Sequence, residues 1–86
     1  MHFAAFRTTA PLGHLQRALD ELNRAGFQLA TVRVSRPPES EPETEGLVRI
    51  DFHAEGTVSP ETYLHRLARM AGILSVEGGP AVVEAA

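Results

Sequence analysis

Ala-Pro-Leu-Gly-His-Leu-Gln-Arg-Ala-Leu-Asp-Glu-Leu-Asn-Arg-Ala-Gly-Phe-Gln-Leu, residues 10–29, is the stretch whose reading decides the fold. Leu15, Ala18, Leu19, Leu22 and Ala25 recur at i, i+3, i+4 and i+7, so they form one apolar stripe of a helix that something else in the chain must cover. The opposite face is charged. Arg17 with Glu21 and Asp20 with Arg24 stand four apart and can pair along it, each pair adding only about 0.2 to 0.5 kcal/mol. Pro11 disfavours the α region for Ala10 and suits a first turn, so the helix is expected to begin near position 11, with Thr8 and Thr9 as hydroxyl caps. Gly26 is expected to stop it in the left-handed conformation, with Phe27 folding back on Leu22 as in a Schellman motif. A strand over 27–34 then follows.

The 86 residues make one domain, 1–86, with room for a single small core and too little chain for a deep, enclosed cleft. There is no cysteine, so neither a disulfide framework nor a thiolate zinc site is available. The net charge is -3, the opposite of the basic face with which a domain meets nucleic acid. Met1 to Thr9 has neither a basic start nor an apolar run of signal-peptide length, and no stretch approaches the roughly 20 apolar residues of a membrane span. The expectation is a soluble, cytoplasmic protein.

Outward from the central stretch, residues 2–8 alternate as a strand with Phe6 inside. Ala30, Val32 and Val34 alternate with Thr31, Arg33 and Ser35, giving a second strand whose valine side matches the leucine stripe. Arg36 to Gly46 carries three prolines and four glutamates and no hydrophobic residue, so it reads as a solvated hairpin connection, with an acidic docking patch as the alternative. Leu47 to Ala54 is a third strand with Val48, Ile50, Phe52 and Ala54 on one side. Ser59-Pro60-Glu61 opens a second helix with stripe Leu64, Leu67, Ala68 and Ala71, ended by Gly72. Ile73 to Glu77 is a short last strand before a Gly78-Gly79-Pro80 break, and the tail 81–86 pairs briefly or frays.

This order, βαββαβ, is the split βαβ or ferredoxin-like α+β sandwich: a four-stranded antiparallel sheet with two helices on one face. The other face, with Phe3, Arg7, Arg33, Arg49, Asp51 and His53, is left uncovered, and a homodimer through strand edges or the helix layer is expected.

Gly13-His14-Leu15 opening a helix, Gly26-Phe27-Gln28-Leu29 after it, and Val32 and Val34 beyond carry a resemblance that spans nearly the whole chain. Tyr63-Leu64-His65-Arg66-Leu67 and Ile73-Leu74-Ser75-Val76-Glu77 extend it. With these motifs the chain resembles the ACT domain family of small-molecule regulatory modules, most of all the small regulatory subunits of acetohydroxyacid (acetolactate) synthase. The resemblance implies a non-catalytic regulatory domain that binds an amino acid, branched-chain such as valine. It implies a ligand site formed by Thr9, Ala10, Leu12, Gly13, His14 and Leu15, with Gln28 and Leu29 across an interface. FAD and thiamine diphosphate would belong to a separate large subunit, and this chain would carry no cofactor. Two positions depart from the pattern: the family's effector-binding acid or amide falls on Ala10, and its asparagine on Gln28. The first departure keeps a rival reading open, an ACT-like module without ligand that only dimerises or docks on an enzyme or a transporter's cytosolic end.

Residue chemistry adds its own reading of the same turn. Gly13 in a first helical turn costs stability relative to alanine, so either close packing or the approach of a ligand carboxylate to the free amides of residues 12–15 explains it. His14 binds a carboxylate or is simply exposed. His65 is expected to be a solvated partner of Glu61. His53 and Asp51 lack a third ligand for zinc, and no nucleophile with a base and orienter can be named, so neither a metal site nor catalytic residues are expected.

Overall fold

The structure is a computed structural model that describes residues 1–36 and 45–81. Alternation sets its sheet: β1 (His2–Thr8) and β3 (Gly46–His53) turn Ala4, Phe6, Val48, Ile50 and Phe52 to one side, all fully or almost fully buried. The register pairs Ala4 with Ile50 and Phe6 with Val48, like with like. With β2 (Gln28–Ser35) and β4 (Ile73–Pro80) the strands form one antiparallel sheet in the order β2-β3-β1-β4. Helices α1 (Pro11–Ala25) and α2 (Pro60–Ala68) pack Ala18, Leu22, Ala25, Tyr63 and Leu67 onto the same core. This is the ferredoxin-like α+β fold, with the expected element order. The proline-rich acidic connection lies, except for Arg36, Glu45 and Gly46, outside the described residues, as do tail residues 82–86. Among the described residues no helix is long and apolar enough to cross a membrane.

Helix α1 ends as its sequence requires. Gly26 has φ 79°, its N–H bonds the Asn23 carbonyl at 3.0 Å, and the Phe27 N–H bonds the Leu22 carbonyl at 3.2 Å. Phe27 then stacks on Phe52 with ring centroids 5.1 Å apart, and Tyr63 meets both rings edge-on. The other end differs from expectation: no side chain caps α1. The Thr8 hydroxyl instead accepts from the Ala10 N–H at 3.0 Å, and the Thr9 hydroxyl donates to the Gly72 carbonyl at 3.5 Å. The expected i, i+4 pairs are also replaced, because α2 brings Arg66 beside Glu21; that carboxylate is shared between Arg24 and Arg66, each at 3.6 Å.

Helix α2 has the serine cap, Ser59 Oγ accepting from the Thr62 N–H at 3.2 Å. It stops at Ala68, however, four residues before Gly72, and buries Tyr63 and Leu67 while Ala68 and Ala71 stay exposed. Ala71 lies beyond the helix end, where the 3.6-residue period no longer sets which side it faces. Gly72 serves the turn into β4. That strand also runs on through Gly78-Gly79-Pro80, because as an edge strand it tolerates a proline and because a side chain at 78 would strike the Phe3 carbonyl and Leu64.

Strand β2 departs most. Its register shifts between Leu29 and Thr31, so Ala30 is the extra residue of a bulge and Leu29 joins Val32 and Val34 on the helix side, opposite Phe52, Ile50 and Val48. The valines face the side expected, yet the helices do not cover them: Leu29, Val32 and Val34 are 47%, 36% and 42% exposed.

Candidate functional site

Where α1 begins beside the last residues of β2, the surface opens into a cleft of about 700 Å³. Thr9, Ala10, Pro11, Leu12 and Gly13 form one wall, Val34, Ser35 and Arg36 another, and Glu45 and Gly46 close the end. Gly46 lies there of necessity, since a side chain on it would come within 2.5 Å of the Pro11 ring. Without a side-chain cap, the N–H groups of Leu12 and Gly13 have no intrahelical acceptor, and the helix dipole adds positive character at the same place. The Arg36 guanidinium adds a full positive charge. Glu45 contributes a carboxylate, bonded to Arg7 of β1 and nearly buried, while Leu12, 75% exposed, and Val34 offer apolar surface. The cleft therefore holds anion-binding and aliphatic surface, while the Glu45 carboxylate is engaged by Arg7 from the uncovered face.

Four of the residues expected at a ligand site, Thr9, Ala10, Leu12 and Gly13, line this cleft. His14 and Leu15 do not. Leu15 packs partly buried against the core. His14 is neither exposed nor directed at the cleft: 7% exposed, it is bonded through Nδ1 to the Thr8 hydroxyl and through Nε2 to the Ala71 carbonyl at 2.8 Å. Gln28 and Leu29 sit at the far end of β2, where Gln28 shares a smaller hollow with Gly26, His53 and Glu55. Within one chain they stand about 20 Å of strand away from Ser35; only a second chain can bring them to the cleft. Sequence reasoning missed Pro11, Val34, Ser35, Arg36, Glu45 and Gly46. The signal was available in part, since residues flanking a hairpin connection must lie side by side, and Arg36 and Glu45 are the charged pair that flank this one.

A Cβ at Gly13 meets nothing within 4 Å in the chain, so packing against a neighbouring strand of its own chain does not explain the glycine, and a neighbouring subunit or a ligand remain the two readings.

On the uncovered face, Arg49 lies over the Phe3 ring at 4.4 Å and bonds Asp51 at 3.2 Å, and the Thr31 hydroxyl donates to Asp51 at 2.8 Å. Burial pushes the Asp51 carboxyl up, but Arg49, the Thr31 hydroxyl and Arg33 together outweigh it and hold Asp51 below the usual carboxylate range. Asp51 is thus engaged by arginine and threonine. Among the described residues no three acidic or histidine side chains gather as metal ligands.

No protein-family model matches the chain, and no curated protein matches it. A solved structure does: the C-terminal domain of the MgtC protein from Mycobacterium tuberculosis, 11% identical, covering 91% of this chain and 83% of that one with a TM-score of 0.71. At that identity the likeness establishes the fold and nothing finer.

Proposed function

We propose that this domain is a non-catalytic, ACT-like regulatory module that binds a free amino acid with an aliphatic side chain in the α1–β2 cleft. The observation that carries the reading is the opening of α1 in the cleft: free helix amides and Arg36 suit a ligand carboxylate, and Leu12 and Val34 suit an aliphatic side chain. A branched-chain amino acid such as valine fits this chemistry, and a partner such as acetolactate synthase, holding its own FAD and thiamine diphosphate, fits the resemblance. The domain works as a cytoplasmic homodimer in this reading. Antiparallel pairing of two β2 edges, centred between Thr31 and Val32, sets Gln28 of a second copy opposite Ser35 and so beside the cleft.

Calorimetric titration with the twenty amino acids tests the proposal. Heat with valine, leucine or isoleucine that is lost or weakened in Gly13→Leu is the expected result; no heat with any amino acid removes the ligand claim.

The rival reading, an interaction module without ligand, is favoured by Ala10 and by the exposed β2 edge. Ala10→Asp separates the two, because a carboxylate at that position creates or sharpens amino-acid binding in a working cleft and does nothing in a pure docking module. A variant that folds, binds nothing and still co-purifies with a larger protein supports docking.

A further inference from the structure

The helix layer carries a second hollow, of about 450 Å³, that shares no residue with the cleft. Arg17, Glu21 and Arg24 recur at i, i+4 and i+7, so they run along one stripe of α1. Arg66 and Arg69, three apart at the end of α2, meet that stripe at the hollow, and Met70 adds an apolar part to its lining. The chain has eight basic residues, every one an arginine, and half of them line this place. The others are dispersed: Arg36 stands at the cleft, and Arg7, Arg33 and Arg49 belong to the uncovered face of the sheet.

The carboxylate among the four guanidiniums is that of Glu21, with Arg24 and Arg66 each 3.6 Å away. Charge-assisted hydrogen bonds run at about 2.7–2.9 Å, so Glu21 attracts both guanidiniums across a gap and satisfies the donor fork of neither. Arg17 and Arg69 enter none of the ion pairs among the described residues, and the exposed Asp20 enters none either. The helix dipole accounts for part of the arrangement, since Arg24 lies in the last turn of α1, Arg66 in that of α2, and Arg69 at the C-cap of α2, where cations are favoured. It does not account for Arg17, in the body of α1, nor for the convergence of all four on one hollow. In a chain of net charge -3, four like charges repel one another here and one carboxylate leaves the balance positive.

Guanidinium forks match phosphate oxygens two at a time, and forks arriving from two helices suit a group that carries several such oxygens. The volume is that of a small-molecule site, while the negative balance of the chain disfavours a long polyanion such as nucleic acid. We infer that this hollow between α1 and α2 binds a small phosphate-bearing molecule through its diphosphate or triphosphate group, with Arg17 and Arg69 as the contacts for which no carboxylate competes. It stands or falls separately from the amino-acid proposal.

Titration of 15N-labelled protein with pyrophosphate and with ATP, at fixed ionic strength and followed through the backbone amides and the arginine Nε–H signals, tests it. Saturable shifts centred on residues 17–24 and 66–70 are expected with either compound. Affinity should fall about tenfold in Arg17→Gln and in Arg69→Gln, and by less than about twofold in Arg33→Gln on the uncovered sheet face. All three side chains are exposed, so these variants leave the core intact. No saturable shift at millimolar concentration of either compound, or a loss in Arg33→Gln equal to that in Arg17→Gln and Arg69→Gln, overturns the site. Tighter binding of a glutamate-rich peptide or a single-stranded oligonucleotide than of either phosphate compound overturns the ligand class.

Discussion

Gly13 sits where a helix former should be, and the space around it is open. Gly13→Ala should therefore raise stability, by up to about 1 kcal/mol and by less than that so near a helix end, in urea unfolding. If an amino acid binds the free amides beside it, the same methyl should weaken that binding, and Gly13→Leu should weaken it further while the fold survives. Stability and affinity moving in opposite directions mark a glycine kept for a ligand. Asp51 carries the second prediction at this scale. Its carboxyl is held below the ordinary value of about 3.9, so the unfolded chain binds the more protons on acidification, and the contribution of Asp51 is present above about pH 4 and lost below it. Urea midpoints between about pH 5 and pH 2 should then fall more steeply for the native protein than for Asp51→Asn. Single residues were legible where chemistry acts locally: Gly26 as a left-handed stop, Ser59 as a cap, Phe6 as core. His14 was not, because its exposure depends on a turn 57 positions further along the chain.

Helix α2 holds to the core through Tyr63 and Leu67, and the first also ties it to α1 by a hydrogen bond. Tyr63 is fully buried, meets Phe27 and Phe52 edge-on, and donates its hydroxyl to the Ala18 carbonyl of α1 at 2.8 Å. Burial, with Glu21 nearby, pushes that hydroxyl well above the usual tyrosine range, so it remains a donor at any ordinary pH. Tyr63→Phe keeps the ring packing and removes only the tie between helices, at an expected cost of about 0.5–1.5 kcal/mol in chemical unfolding. Tyr63→Ala adds a cavity and should cost several times more. The leucine spacing of this segment pointed to Leu64, Leu67, Ala68 and Ala71, and Tyr63 escaped because a tyrosine on an amphipathic helix is readily taken for a surface residue. The strands were more legible than the helix ends, since a period of two fixes which side faces the core wherever one side is buried. The exceptions are informative. The β2 bulge at Ala30 and the run of β4 through Pro80 both lie on edge strands, where only one neighbour enforces regular pairing.

At the scale of the whole molecule, strand β2 is the unfinished part. It presents unpaired backbone groups along one edge and an apolar row of Leu29, Val32 and Val34, and it carries neither lysine nor proline to discourage pairing. Leu12, also exposed, lines the cleft together with Val34 of that row. A second copy paired antiparallel on this edge would join two sheets into one, cover the row on both chains, and place Gln28 of each copy at the cleft of the other. Sedimentation should accordingly give a dimer at micromolar concentration. Val32→Lys should shift it to monomer while changing unfolding of the monomer little, because a side chain already partly in water loses little on becoming charged. A native protein that is monomeric at every concentration tested would remove the edge pairing and with it any role for Gln28 and Leu29 in binding. If the dimer forms and the cleft binds an amino acid with help from the second copy, linkage requires that the ligand tighten the dimer by the same factor by which dimerisation tightens the ligand. Sedimentation with and without saturating valine measures that factor. A dimer constant indifferent to a ligand that binds would place the whole site within one chain.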